Sequence, residues 1–181
     1  MTISTANLHE QYRIADMSYL DGPDASPIYK TMADIIKCNK LTSIVDVGCR
    51  VGTLNKFLTN YEYNYYGFDT SREPIEKAMT VYPEHQFCVR SWKYLIRPMF
   101  DVDVVVFSSV LIYDNKPHEM FNRICDFYKP KHAIVHEVTN SNTEDLQYTD
   151  LDYFSKNYKC NIINLDLNIQ VGKRTIIDVE Y

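Results

Sequence analysis

The chain has no apolar run near the ~18 residues needed to cross a bilayer. Its start, MTISTANLHEQYR, lacks the basic-then-apolar order of a secretory signal. The expectation is a cytoplasmic protein without a membrane partner. Its five cysteines (Cys38, Cys49, Cys88, Cys125, Cys160) form no C-x-x-C pair. That spacing gives neither a zinc site nor a disulfide framework, so no metal is expected, and the odd count suits a reducing compartment. Basic residues are not in excess: 19 Lys and Arg stand against 24 Asp and Glu, a net charge of −5. An extended nucleic-acid grip needs a basic face and is disfavoured. Repeats, low-complexity tracts and interdomain linkers are also missing. At 181 residues, 1–181 reads as one domain with a sizeable core.

What is present alternates between two periods. Ile28 to Cys38 has helical spacing, and Ile44 to Val47 is a short apolar run. Thr53 to Thr59 returns to a helical pattern with Leu54, Phe57 and Leu58 inward, and Tyr65 to Phe68 is a second strand. Thr70-Ser71-Arg72-Glu73 matches a capping box, with Pro74 acceptable in a first turn and Ile75, Ala78 and Met79 facing the sheet. Gln86 to Arg90 is a third strand. Val102 to Phe107, apolar but for one acid, reads as a central parallel strand. A helix at Pro117 to Tyr128, a strand at Ala133 to His136 and a helix within Glu144 to Tyr158 follow. Ile162 to Leu167 and Thr175 to Val179 have no helix between them and read as an antiparallel pair. The sum is an α/β fold: a doubly wound, mostly parallel seven-stranded sheet with an antiparallel last strand pair. Residues 1–40 form a helical lead that can serve as a lid, and 41–181 form the sheet core.

One stretch points to chemistry. IVDVGCRVGTL, Ile44 to Leu54, ends an apolar run in Asp46 and enters a turn carrying Gly48 and Gly52. Glycine supplies positive φ and close backbone approach there. The first N–H groups of the following helix can meet a polar or anionic ligand. Asp69 ends the next strand, 21 residues past Gly48, where an acid accepts both hydroxyls of a ribose. A dinucleotide fingerprint G-x-G-x-x-G would need glycine at 48, 50 and 53, and Arg50 and Thr53 break it.

Asp46 to Gly52 resembles the D-x-G-x-G-x-G motif of class I S-adenosylmethionine-dependent methyltransferases. YYGFDTS, ending in Asp69, Thr70 and Ser71, is similar to their second motif, and FDVDVVVFSSVLIYD, Phe100 to Asp114, to their fourth-strand segment. The likeness spans about Thr42 to Tyr181. It implies S-adenosyl-L-methionine as cofactor, held by Asp46, Gly48, Cys49, Arg50, Gly52, Asp69 and Thr70. Ser91 and Trp92 would lie near the adenine, and Ser108 near the amino-acid part. Arg50 stands where the family has its middle glycine, which suits an arginine only if the backbone there avoids positive φ.

Methyl transfer requires alignment and exclusion of water more than a fixed base. Ligands of open α/β sheets lie beyond the carboxyl ends of the strands. There His136 is the candidate base, Glu137 a group to orient it or to bind a metal, and Tyr113 a group to position the acceptor. DNA is an unlikely substrate, since Phe107-Ser108-Ser109-Val110 lacks the D/N-P-P-Y of DNA amino-methyltransferases. The expected acceptor is an oxygen or nitrogen of a small, glycan-related or specialised metabolite. If the lead does not cover the site, a homodimer partner covers it or the substrate is a macromolecule on an open cleft. Two rival readings are a non-catalytic, methyltransferase-like binding or partner subunit and a nicotinamide-dependent oxidoreductase.

Overall fold

The computed structural model describes residues 25–139, 151–165 and 173–181. The first helix, α1 (Ser26–Cys38), has proline in its first turn and buries Ile28, Tyr29, Met32, Ala33 and Ile36 along one face. It leads into β1 (Ser43–Val47), β2 (Asn64–Asp69), α2 (Arg72–Val81), β3 (Gln86–Val89) and β4 (Val104–Ser108). After these come α3 (Pro117–Tyr128), β5 (His132–Thr139), α4 (Leu151–Asn157), β6 (Lys159–Leu165) and β7 (Lys173–Glu180).

The strands form one sheet in the order β3-β2-β1-β4-β5-β7-β6. All pairs are parallel except β7, which runs antiparallel to both β5 and β6. Alternate residues feed opposite faces. On one face Ile44, Val104, Val106, Ile134 and Ile176 meet α1 and α2. On the other, Val45, Val105, Phe107, Val135 and Ile177 meet α3 and α4 through Phe121, Ile124 and Phe154. The central strands are buried on both faces and are correspondingly apolar. Chain order reverses between β1 and β4, so a crevice opens beyond their carboxyl ends.

Local expectations are corrected at several points. The segment after the glycine turn is a 3-10 turn, Thr53–Phe57, and not a longer helix. The Asn55 amide reaches back 2.9 Å to the Gly52 carbonyl, and Asn60 turns left-handed (φ 59°), which halts propagation. The capping box at Thr70 does not form: the N-cap is Ser71, without a side-chain cap, and the Asp69 carboxylate accepts its N–H at 2.8 Å. Met79 lies at the edge of the α2 stripe and is exposed. Strand β5 runs three residues past His136. Of the helix expected within 144–158, Leu151–Asn157 is present and 140–150 lie outside the described residues. Residues 1–24, and with them most of the expected lid, also lie outside. No helix among the described residues is long and apolar enough to cross a membrane.

Candidate functional site

Two turns meet at the reversal of strand order. The first leaves β1. Gly48 and Gly52 both take positive φ (68° and 71°), as their places in the turn require. Arg50, between them, is also left-handed at φ 49°. The condition set by its side chain is therefore not met, and an L-residue in this conformation costs ~1–2 kcal/mol. Its N–H donates to Asp69 Oδ2 at 3.2 Å, which helps hold it there.

The turn is closed largely by its own backbone. Gly48 and Cys49 N–H both donate to the Phe68 carbonyl (2.8 and 3.2 Å), and Gly52 N–H donates to the Cys49 carbonyl at 2.8 Å. The expected fan of free amides is thus reduced. Asp69 is nearly fully buried at the end of β2, with its second oxygen taking the Ser71 N–H. Burial raises its pKa, against the pull of the Ser71 and Arg50 amides. Each of its oxygens retains acceptor capacity for a hydroxyl.

Asp46 lies at the β1 end of the turn, close enough to Asp69 for the two charges to interact. It is buried and accepts a 2.6 Å hydrogen bond from Tyr65. Burial pushes its pKa up to about 7, offset in part by Tyr65. The Cys49 side chain packs on Gly67, where an added Cβ would lie 2.6 Å from its sulfur. Its thiol thus packs the turn against β2. Thr70 is exposed.

Beyond β3, Ser91 accepts the Lys93 N–H at 3.3 Å. Half-buried Trp92 donates from Nε1 to Asp114 Oδ2 at 2.7 Å, tying the exits of β3 and β4 together. The Arg123 guanidinium sits 5.7 Å from its ring centroid.

The second turn leaves β4 and contains no glycine. Ser109 takes φ 52°, and a 3-10 turn, Leu111–Tyr113, follows. Its amides are received by β5. Ser109 N–H donates to the His136 carbonyl at 2.8 Å, and Val110 and Leu111 N–H donate to Glu137 Oε1 at 3.0 and 2.8 Å. His136 and Glu137 point to opposite faces of the sheet. The His136 ring is wholly enclosed, with Nδ1 3.2 Å from Ser109 Oγ and 3.4 Å from Ser108 Oγ. Burial, with the Arg174 charge nearby, lowers its pKa to about 3. It is a poor base near neutrality. Tyr113 is half-buried at the end of the 3-10 turn.

Sequence reasoning placed the first turn and its acid, and named Ser108 and His136 separately; the structure brings the two side chains together. It missed the role of Glu137, the buried Arg174 and the left-handed Ser109. An acid at the end of the apolar run AIVHE was the available signal for Glu137. Arg174 had none.

Comparison with known proteins follows this geometry. A family model described as a methyltransferase domain matches residues 20–167. The N-methyltransferase NodS from Bradyrhizobium japonicum WM9, in complex with S-adenosyl-L-homocysteine, superposes with a TM-score of 0.76 at 11% identity, covering 97% of each chain. Magnesium protoporphyrin IX methyltransferase (ChlM) from Synechocystis PCC 6803, with bound S-adenosylhomocysteine, gives 0.71 at 14% identity, over 87% of this chain and 84% of that one. The [4+2]-cyclase SpnF gives 0.60 at 14%, over 75% of this chain and 60% of its own. These likenesses concern the fold. No curated protein matches the chain.

Proposed function

We propose that this chain, which belongs to the methyltransferase-domain family, moves a methyl group from S-adenosylmethionine to an oxygen or nitrogen of a small molecule. The observation that carries the reading is the union of the glycine turn with Asp69. The acid of the neighbouring strand ties down the turn and keeps lone pairs for ribose hydroxyls. The cofactor brings a sulfonium whose methyl carbon already has a good leaving group. The chain's part is to align and to exclude water.

Gly48 to Gly52 lie against the methionine portion, and Asp46, held by Tyr65, supports them from below. Ser91 and Trp92 stand at the adenine end. Ser108, oriented by His136, faces the amino-acid end. Tyr113 positions the acceptor. With His136 neutral and enclosed, no base comes from it, which suits an acceptor nucleophilic without deprotonation, such as a neutral amine. NodS is an N-methyltransferase and ChlM acts on magnesium protoporphyrin IX, both in keeping with a small acceptor. Five free cysteines suit the reducing cytoplasm.

Calorimetry with S-adenosylhomocysteine tests this. We expect binding by the native chain and a loss of about tenfold or more in Asp69→Ala, the scale of a charged hydrogen-bond acceptor removed. Unchanged affinity in the variant would remove Asp69 from the site. No binding by the native chain would favour the second reading, a partner subunit, which the strained Arg50 and the enclosed His136 support.

A further inference from the structure

Outside the residues assigned to the cofactor, the most unusual buried group is the Glu137 carboxylate. It is almost wholly enclosed, and the buried Arg174 is the charged group that acts on it. One oxygen takes two consecutive amides, Val110 and Leu111. The other, Oε2, has no hydrogen-bond partner among the described residues. With the His136 carbonyl holding Ser109 N–H, two consecutive residues of β5 receive three consecutive amides of the turn after β4. Three constraints on three residues keep Ser109 in a conformation that serine seldom adopts.

The consequence reaches the other turn. Val110 follows Ser109, and its side chain lies on Gly48. A Cβ built on Gly48 would stand 2.7 Å from Val110 Cγ2 and 3.1 Å from its Cβ. The two turns therefore interlock, with Val110 filling the space that the absent side chain leaves. A carboxylate on β5 fixes the amides after β4, and those fix the valine that closes over the bend after β1.

We propose that Glu137 is a positioning residue for the cofactor turn, acting through Val110 on the bend at Gly48. The inference rests on the methyltransferase reading for its functional meaning, but its structural content can be read without ligand. A negative charge is not required of Glu137. An oxygen that accepts both amides is, so Gln can replace it and Ala cannot.

The test uses the full chain in native, E137Q, E137A and V110A forms, with two readouts. Amide hydrogen exchange by NMR without ligand follows Ser109 to Leu111 and Gly48 to Gly52. Calorimetry then gives the affinity for S-adenosylhomocysteine. In E137A we expect exchange at Val110 and Leu111 to rise by about tenfold or more, as befits two buried donors left without an acceptor. Exchange at Gly48 to Gly52 should rise with it, while β1 and β4 stay protected, and the affinity should fall about tenfold. E137Q should stay within about threefold of native in both readouts. V110A should loosen Gly48 to Gly52 while leaving the Leu111 amide protected.

Unchanged exchange at Gly48 to Gly52 in E137A overturns the proposal, as does an E137Q as impaired as E137A. If E137A does not fold, V110A decides: unaltered exchange at Gly48 to Gly52 there refutes the coupling. If the native chain binds no S-adenosylhomocysteine, the cofactor reading falls, and Glu137 is judged on exchange alone.

Discussion

The turn after β1 and the turn after β4 are built on one plan with different parts. In each, an acid on the neighbouring parallel strand accepts amides of the turn: Asp69 takes Arg50, and Glu137 takes Val110 and Leu111. In each, a non-glycine residue is left-handed, Arg50 at φ 49° and Ser109 at φ 52°. They differ in how the bend is made. The first uses Gly48 and Gly52 and keeps its acid's oxygens spread over two separate amides. The second has no glycine and concentrates two amides on one oxygen, leaving the other without a hydrogen-bond partner among the described residues. An acid with one amide on each oxygen can take a ligand hydroxyl on either, whereas two amides gathered on one oxygen brace the turn. The plan is shared, and the distribution of acceptors separates a site from its support.

The largest effect should come from breaking the interlock at its tightest point. Gly48→Ala forces a methyl group to within 2.7 Å of Val110 at a backbone φ that alanine disfavours. Strain and overpacking together predict a loss of about 3 kcal/mol, measured by urea unfolding. Adding Val110→Ala should recover most of the overpacking part, about half of the loss, leaving the backbone strain and the 3.1 Å approach to the remaining Cβ. Simple additivity in that double-mutant cycle would mean that the two turns are independent and would break the comparison.

Legibility in the sequence followed the same division. The first turn could be read because glycine betrays positive φ and because its acid falls a fixed distance along the chain. The sheet was legible from apolar runs whose burial matches their composition, Val104 to Phe107 above all. The second turn was not, because its strain sits on a serine, a residue that carries no such mark. Its acid, Glu137, stands 26 and 27 positions from the amides it receives. Arg50 was flagged as a departure from the family pattern, but its left-handed backbone is held by a hydrogen bond from its N–H to Asp69 that no local pattern encodes. His136 was expected at the strand end but lies three residues inside it. Its enclosure depends on packing across the sheet, which spacing along one strand cannot report.

A smaller effect, of the same sign for the acids of both turns, appears with pH. Burial pushes Asp46 up to about 7 and Glu137 up to about 8, each against hydrogen bonds that pull it down. An unfolded chain ionises these carboxyls near pH 4. The native state therefore holds protons that the unfolded state has released, and stability falls as pH rises toward each native value. His136 acts in reverse: lowered to about 3, it makes stability rise with pH until the unfolded ring is neutral, above about 6.5. Between about pH 7 and 8 the slope then belongs to Glu137, on the order of 1 kcal/mol per pH unit. Urea midpoints across that window should fall in the native chain and in Asp46→Asn, and stay level in Glu137→Gln. A native chain with a flat profile there would mean that the strut carries its charge at neutrality, as the site's acid would.

The finest test exchanges the strained residues themselves. Glycine removes the penalty of positive φ but loosens the unfolded chain, so a left-handed residue changed to glycine gains at most about 1 kcal/mol. Arg50→Gly restores the family's middle glycine and keeps the amide that Asp69 accepts. Ser109→Gly keeps its amide to His136 but loses the hydroxyl beside His136 Nδ1, 3.2 Å away in an enclosed site. We expect Arg50→Gly to be neutral or stabilising by up to about 1 kcal/mol. Ser109→Gly should be destabilising by about the same, since the ring then loses one of the two hydroxyls beside Nδ1. The sign difference, read from paired unfolding curves, follows from what each turn is for. Strain in the first is held by backbone contacts that survive the exchange, whereas strain in the second is held in part by the side chain removed. Equal signs would place the support of both turns in the backbone alone.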